Sequence, residues 1–215
     1  MHILITGANR GIGLGLAQHY RTAGNTVTAT ARTPAPDTVA LDVTDPAQHQ
    51  TLAQSLADQP IDLLICNAGV YLDKGQSLDT GYPAAMWADS FAANTTGVFL
   101  TIQALLPHLA RAASPKIAII SSQMASDTHA PGGSYIYRAS KAAVLNLGRN
   151  LATDLRPQNI ALGIYHPGWV QTDMGGTTAA ITPAEAVTGL TARFAALSLA
   201  TTGCFETWDG RAPPY

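Results

Sequence analysis

Seven short apolar runs alternate with longer helix-forming stretches along almost the whole chain, and this alternation limits the possible folds more than any other feature. The runs of strand length lie at residues 2–6, 26–30, 39–41, 61–66, 117–121, 160–165 and 204–207. The helix-forming stretches lie at residues 14–23, 46–57, 86–112, 137–155 and 183–197. Such alternation is typical of a parallel sheet with helices on both faces. The sequence therefore predicts an α/β fold with a doubly wound parallel sheet.

Length and charge narrow the range of functions. The 215 residues fit one domain that spans residues 1–215. Charged residues make up 12% of the chain and the formal net charge is −2, which argues against binding to nucleic acid or to a membrane surface. The N-terminus lacks a basic segment followed by an apolar core, so we expect a cytoplasmic protein. The histidines and cysteines show no ligand spacing, and no metal site is expected.

A glycine-rich turn follows the first apolar run directly. Gly7, Gly11 and Gly13 lie between the run at residues 2–6 and an amphipathic stretch that starts at Leu14. Glycines in a strand–turn–helix context let the backbone approach a pyrophosphate, and the helix N-terminus offers free N–H groups to it. The spacing predicts a dinucleotide site. The alternative is a glycine turn that only links a strand to a helix.

Residues that could contact a ligand lie at or just after the ends of six of the apolar runs. In chain order they are Thr6, Arg32, Asp42, Asn67, Ser122 and, after the sixth run, the Pro167–Gly168 pair. Ligands of doubly wound sheets bind beyond the carboxyl ends of the strands. We therefore expect these residues to surround one site.

Tyr137 and Lys141 are spaced one helical turn apart. Side chains at positions i and i+4 share a helix face, so both can reach one ligand. A nearby positive charge lowers the pKa of a phenol, which favours Tyr137 as a general acid. Tyr135 is the rival, but its i+4 neighbour is Ala139.

Taken in order, these motifs resemble the short-chain dehydrogenase/reductase family in its classical, single-domain form. They are Thr6-Gly7-x-x-x-Gly11-x-Gly13, Asn67-Ala68-Gly69, Ser122, Tyr137-x-x-x-Lys141 and Pro167-Gly168. Residues 137–141 and 166–174 are most similar to carbonyl-reductase-like and C-factor-like members. The resemblance implies a Rossmann fold whose seven strands take the order 3-2-1-4-5-6-7. It also implies a homodimer or homotetramer formed through the helices at residues 86–112 and 137–155.

The resemblance further implies where a nicotinamide cofactor binds. The implied contacts are Gly7, Asn9, Arg10, Gly11, Ile12, Gly13, Arg32, Asp42, Val43, Asn67, Ala68, Gly69, Tyr137, Lys141, Pro167, Gly168, Val170 and Thr172. The region after the second strand carries Arg32 and no acid before Asp37, and Arg10 adds a second cation. A cation suits a 2′-phosphate, whereas an acid suits a free 2′-hydroxyl. NADP(H) is therefore favoured over NAD(H), unless both arginines are ordinary surface residues.

The same resemblance assigns catalysis to Asn94, Ser122, Tyr137 and Lys141. Ser122 and Tyr137 would bind the substrate carbonyl oxygen, Lys141 would bind the nicotinamide ribose, and Asn94 would hold a relay water at a break in its helix. A core asparagine that bonds the backbone is the alternative for Asn94. Ser122 stands fifteen positions before Tyr137, two more than usual in the family, which leaves the choice over Ser121 less firm.

Together these features indicate an NADPH-dependent carbonyl reductase or alcohol dehydrogenase that acts on a small apolar or aromatic carbonyl compound. The alternative is a non-catalytic dinucleotide-binding regulatory protein of the same fold, which has no need of Ser122, Tyr137 and Lys141 together. The substrate pocket is expected to involve Met124, His129, Trp169 and Met174. Tyr71 and Trp87 are further candidates for its walls, although each of these residues suits a core or an interface equally well.

Overall fold

The computed structural model describes residues 1–79 and 81–214, that is, the expected domain without Thr80 and Tyr215. Its seven parallel strands form one sheet in the order β3-β2-β1-β4-β5-β6-β7, as predicted. The strands are β1 (His2–Ile5), β2 (Thr26–Ala31), β3 (Val39–Ala40), β4 (Leu63–Cys66), β5 (Lys116–Ile120), β6 (Ala161–His166) and β7 (Phe205–Thr207). Each lies within two residues of its predicted bounds. Strands β1, β4 and β6 are buried along their whole length, as continuous apolar runs indicate.

Among the described residues, six α-helices cover the two faces of the sheet. They are α1 (Gly11–Thr22), α2 (Pro46–Ser55), α3 (Ala84–Phe91), α4 (Gly97–Leu109), α5 (Tyr135–Leu155) and α6 (Pro183–Ala196). Asp45 caps α2 by accepting from the Ala47 amide at 2.9 Å. Thr182 and Glu185 form a capping box at the start of α6. These caps fix where the two helices begin.

Two apolar clusters hold the helices against the sheet. Alternate residues of each strand point to opposite faces, so Leu4 and Leu64 join one cluster while Ile3 and Ile65 join the other. The first cluster packs against α2, α4 and α5, and the second against α1 and α6. Together they set the carboxyl ends of the strands, where the polar residues lie, in a rigid frame.

The predicted helix at residues 86–112 is not continuous. A π-helical turn at Ala92–Thr96 separates α3 from α4. Gly97, the residue after this turn, packs closely against the backbone that leads into α2. A Cβ at Gly97 would lie only 2.7 Å from the Val43 carbonyl oxygen. Single π-helical turns are frequent at functional sites, and this one contains Asn94.

The described residues contain neither a membrane-spanning helix nor a group of metal ligands. Within residues 1–79 and 81–214, none of the helices has both the length and the apolar character that crossing a bilayer demands. In the same ranges, no three histidine, cysteine, aspartate or glutamate side chains are grouped as metal ligands.

Candidate active site

The glycine turn lies at the carboxyl end of β1 and is tied to the loop after β4. The Asn67 side chain donates to the carbonyl oxygens of Thr6 at 3.0 Å and Gly7 at 2.9 Å. The Thr6 hydroxyl in turn accepts from the backbone amides of Asn67 and Ala68, both at 3.0 Å. Asn67 therefore braces the turn, and its amide hydrogens are both used in doing so.

Glycine is required within this turn for steric reasons. Gly7 has a φ of 65°, a conformation that favours glycine. A Cβ on Gly13 would lie 2.3 Å from the Gly7 carbonyl oxygen and 2.5 Å from Asn67 Nδ2. The backbone at Gly13 therefore lies closer to Gly7 and Asn67 than any residue with a side chain would allow.

The N-terminus of α1 fits a pyrophosphate. Arg10 occupies the N-cap position without a side-chain cap, and the first turn has no acidic residue. The first amides of a helix have no partner inside the helix, and they attract anions. The turn residues Asn9 and Arg10 are exposed, whereas Ile12 is half-buried. The residues present at this end of the crevice fit a dinucleotide.

Arg32, Asp42 and Val43 lie at the far end of the turn, after β2 and β3. Arg32 is exposed and Val43 is buried. The Asp42 carboxylate accepts from the Thr44 amide at 2.9 Å and the Thr44 hydroxyl at 2.8 Å. These bonds, with Arg32 nearby, hold the pKa of Asp42 below its ordinary value. Asp42 is thus an ionised acceptor at neutral pH.

Arg10 is not free in the structure. Its Nη1 atom lies 2.9 Å from Asp173 Oδ2, and both side chains are largely exposed. Asp173 belongs to the segment after β6, so this ion pair links that segment to the glycine turn. A role of Arg10 at a 2′-phosphate therefore competes with Asp173, and sequence reasoning did not find this partner.

The segment after β6 closes the other side of the crevice. Gly168 has a φ of 91°, and Val170 is buried. The methyl carbon of Thr172 would lie 3.4 Å from a Cβ placed on Gly11. The structure therefore brings the Pro167–Thr172 stretch against the glycine turn, where the sequence predicts the cofactor.

Ser122 and Tyr137 lie together at the carboxyl end of β5. The Ser122 side chain lies close enough to Tyr137 to lower the pKa of its phenol, and its hydroxyl accepts from the Met124 amide at 3.1 Å. Ser121 points the other way and donates to the Lys141 carbonyl oxygen at 3.0 Å. The geometry thus separates the two serines and places Ser122 beside the phenol.

Burial governs the protonation of Tyr137 and Lys141. Desolvation raises the pKa of Tyr137 to about 12, against a smaller lowering by Ser122. Desolvation also lowers the pKa of Lys141 to about 8. The i, i+4 spacing predicts a lowered pKa for Tyr137, and the structure has the opposite direction. The lysine Nζ instead donates to the Ile120 carbonyl oxygen at 2.9 Å.

Asn94 is fully buried in the π-helical turn and bonds the loop after β4. Its Oδ1 accepts from the Val70 amide at 2.8 Å. Its Nδ2 donates to the Val70 carbonyl oxygen at 2.9 Å and to the Ser140 hydroxyl at 2.9 Å. Both amide hydrogens are therefore used, as in the backbone-bonded alternative. A Cβ on Gly69 would lie 3.0 Å from Asn94 Oδ1 and 3.4 Å from Lys141 Nζ, so these groups converge.

The loop after β4 contributes residues whose placement the sequence did not predict. The Tyr71 ring stacks on the Tyr137 ring with centroids 4.2 Å apart. The buried carboxylate of Asp73 accepts from the first-turn amides of α5. Lys74 Nζ donates to the Met174 carbonyl oxygen at 3.1 Å. No local pattern announces these contacts, because each joins segments more than sixty residues apart.

The four predicted substrate residues do not line one cavity. Met124 and His129 line a cavity of about 790 Å³ between the loop after β5, Arg138 and the C-terminal segment. Trp169 and Met174 lie outside it, in the segment after β6, and are 53% and 41% exposed. Trp169 Nε1 donates to the Gly175 carbonyl oxygen at 2.9 Å. Trp87 is on α3 and stacks with Phe91.

The fold and site define a nicotinamide-dependent oxidoreductase of doubly wound architecture. Residues 1–181 match the model of the short chain dehydrogenase family. The chain belongs to this family, whose members are oxidoreductases that act on CH–OH and C=O groups.

The chain is similar to known proteins over most or all of its length. The C-signal protein of Myxococcus xanthus is 35% identical over 167 residues, which cover 77% of this chain and 99% of that protein. NADPH-bound carbonyl reductase from chicken fatty liver is 34% identical, with a TM-score of 0.90 over 100% of this chain and 98% of that one. Carbonyl reductase Sniffer of D. melanogaster is 27% identical, with a TM-score of 0.93 over 100% and 99% of the two chains.

Proposed function

We propose that the chain is an NADPH-dependent carbonyl reductase that also works in reverse as an alcohol dehydrogenase. The observation that carries the proposal is that Ser122 and Tyr137 are both buried at the carboxyl end of the sheet, with Ser122 close enough to lower the pKa of the phenol. Two adjacent hydroxyl donors suit a carbonyl oxygen on which negative charge develops. A family likeness does not by itself assign a function, so the proposal rests on this pair of residues.

Tyr137 acts as the general acid. Because burial holds the pKa of its phenol near 12, the side chain stays protonated at neutral pH and has a proton to donate. Ser122 hydrogen-bonds the same substrate oxygen and keeps it in line with the phenol. In the reverse direction the phenolate form of Tyr137 takes up the proton of the alcohol, while Ser122 hydrogen-bonds the alcohol oxygen.

Lys141 acts beside the phenol, through its charge and its donors. With a pKa of about 8 it is mainly protonated at pH 7. The ammonium group has three donors, of which one is bound to Ile120. The remaining donors suit the hydroxyls of a ribose. Asn94 holds the loop after β4 next to Lys141 through its bonds to Val70. We also propose that Asn94 holds a water that relays protons to Lys141.

The cofactor, when bound, supplies or accepts the hydride at the carbonyl carbon. The glycine turn, the uncapped start of α1, and Asn67 would hold it. The preference for NADP(H) is supported by exposed Arg32 and by the NADPH named for the chicken carbonyl reductase. A small apolar or aromatic carbonyl compound is the proposed substrate, with Met124, His129, Trp169 and Met174 as candidate contacts.

We further propose that the protein is a homodimer or homotetramer formed through α4 and α5. Phe99 on α4 is 37% exposed, and alanines at 139, 142 and 143 lie half-buried on α5. Small side chains on one helix beside an aromatic on the other allow close packing between copies.

The proposed function is tested by the oxidation of NADPH and of NADH in the presence of aldehydes, ketones and quinones, followed at 340 nm. The expected result is carbonyl-dependent oxidation that is faster with NADPH. A regulatory protein would bind the nucleotide without consuming it, and that outcome would reject the proposal.

A further inference from the structure

Helix α5, which carries Tyr137 and Lys141, begins without a cap of its own. The residue before it, Ser134, has a φ of 50° and makes no side-chain cap. The side chain of an ordinary N-cap residue accepts from the second or third amide of its helix. In α5 these are the amides of Ile136 and Tyr137.

Asp73 supplies the missing cap from the loop after β4. Its Oδ2 accepts from the Ile136 amide at 2.8 Å, and its Oδ1 accepts from the Tyr137 amide at 3.2 Å. The side chain is buried, with 1% exposure. A buried carboxylate is retained only where donors compensate its lost hydration, and the positive end of a helix is such a place.

Two residues close to Asp73 in the same loop, Tyr71 and Lys74, also contact the walls of the crevice. Tyr71 covers the Tyr137 ring by stacking at an interplanar angle of 22°, and its hydroxyl hydrogen-bonds Ser134 Oγ at 2.5 Å. Lys74 holds the backbone of the segment after β6. One short loop therefore touches the catalytic helix and the opposite wall of the crevice.

We propose that Asp73 is a positioning residue for Tyr137: its carboxylate caps α5, fixes the first turn of the helix and thereby holds the phenol in place. The inference rests on the proposed function, since it assigns Tyr137 as the proton donor. It adds a residue that neither the glycine turn nor the Tyr137–Lys141 motif contains.

The groups around Tyr137 set the sign of the electrostatic effect. The ionisable neighbours are Asp73 and Tyr71 from the loop after β4 and Lys141 from α5, whose Nζ lies 5.8 Å from the ring centroid. Desolvation contributes most to the raised pKa of the phenol, Ser122 lowers that pKa, and Tyr71 and Asp73 add smaller increases. The charge of Asp73 thus acts in the same direction as burial, and its main role is the cap.

A split between kcat and KM separates this role from a purely structural one. Asp73→Ala removes both acceptors from the first turn of α5, so kcat for carbonyl reduction should fall about 10-fold as Tyr137 loses its position. The KM for NADPH should stay within about twofold, since the glycine turn is left unchanged. Asp73→Asn keeps one oxygen acceptor on a side chain of the same length, so it should recover most of kcat. The matched control is Asp62→Ala, which removes a carboxylate bonded to the His2 amide.

A kcat of Asp73→Ala equal to the wild-type value would overturn the positioning role. The cap is tested in the wild-type chain, so the test does not depend on a variant that folds. Hydrogen exchange at the Ile136 and Tyr137 amides should be at least about 100-fold slower than at the uncapped first-turn amides of α1. Equal exchange at both helix starts would overturn the cap.

The two proposals fail in different ways. A wild-type chain that reduces no carbonyl compound rejects the proposed function, and with it the role of Asp73 in proton donation. Slow exchange at Ile136 and Tyr137 in that same chain would still show the cap itself. An active wild type whose kcat is unchanged in Asp73→Ala rejects only the role of Asp73.

Discussion

The Nζ atom of Lys141 lies 5.8 Å from the centroid of the Tyr137 ring and donates to the Ile120 carbonyl oxygen, rather than to the phenol. The two side chains share one helix face, as their spacing requires. Burial nevertheless favours the neutral form of each group, which raises the pKa of Tyr137 and lowers that of Lys141. The pair therefore holds a phenol that retains its proton at neutral pH.

The two adjacent serines offer a matched test of the carbonyl-binding site. Ser122→Ala removes the hydroxyl beside Tyr137, and kcat for carbonyl reduction should fall about 100-fold. Ser121→Ala removes a bond to the Lys141 carbonyl oxygen, and the free energy of unfolding should fall by about 1 kcal/mol. Steady-state kinetics and urea denaturation of both variants measure these effects. A larger loss of kcat in Ser121→Ala would reverse the assignment.

Arg32 should account for most of the preference for NADPH, because Arg10 is paired with Asp173. In Arg32→Gln the Kd of NADPH should rise about 10-fold, since a charge-assisted bond to the 2′-phosphate is lost. The Kd of NADH should not change. Fluorescence titration of both nucleotides measures the two constants. Arg111→Gln is the control, because Arg111 pairs with Asp58 on the surface. An equal effect of Arg32→Gln on both nucleotides would contradict the assignment.

The lowered pKa of Lys141 predicts a stability that rises with pH. The folded chain releases this proton near pH 8, whereas the unfolded chain keeps it to about 10.5. Between these values the unfolded state binds more protons, so the free energy of unfolding gains up to about 1.4 kcal/mol per pH unit from this group. Lys141→Met lacks the gain. Urea denaturation from pH 7.5 to 9.5 should show the two curves converge or cross, and parallel curves would refute the shift.

Strand positions and the glycine turn were predictable from the sequence because their causes are local. Apolar runs mark buried strands, and Gly13 must be glycine where a Cβ would overlap the Gly7 carbonyl oxygen. The choice of Ser122 over Ser121, by contrast, came from the family resemblance. Local pattern therefore sufficed wherever neighbouring residues determine the backbone.

The remaining features depend on contacts between distant segments. The π-helical turn holds Asn94 where its side chain bonds Val70; only the family resemblance implied a break in the helix there. The cap of α5 comes from Asp73, 63 residues before Ile136. The wrong direction for the pKa of Tyr137 has the same origin. An i, i+4 spacing reports a neighbouring charge but not the burial that outweighs it.

Replacement of Tyr137 by phenylalanine tests the central claim most directly, because it removes one hydroxyl and keeps the stacked ring. NADPH binding, measured by fluorescence titration, should be unchanged, and kcat for carbonyl reduction should fall by about 10²–10⁴-fold. Tyr135→Phe is the control on the same helix, since Tyr135 is 39% exposed and contacts Tyr82. If Tyr137→Phe reduces carbonyl compounds as fast as the wild type, Tyr137 is not the proton donor and the account is contradicted.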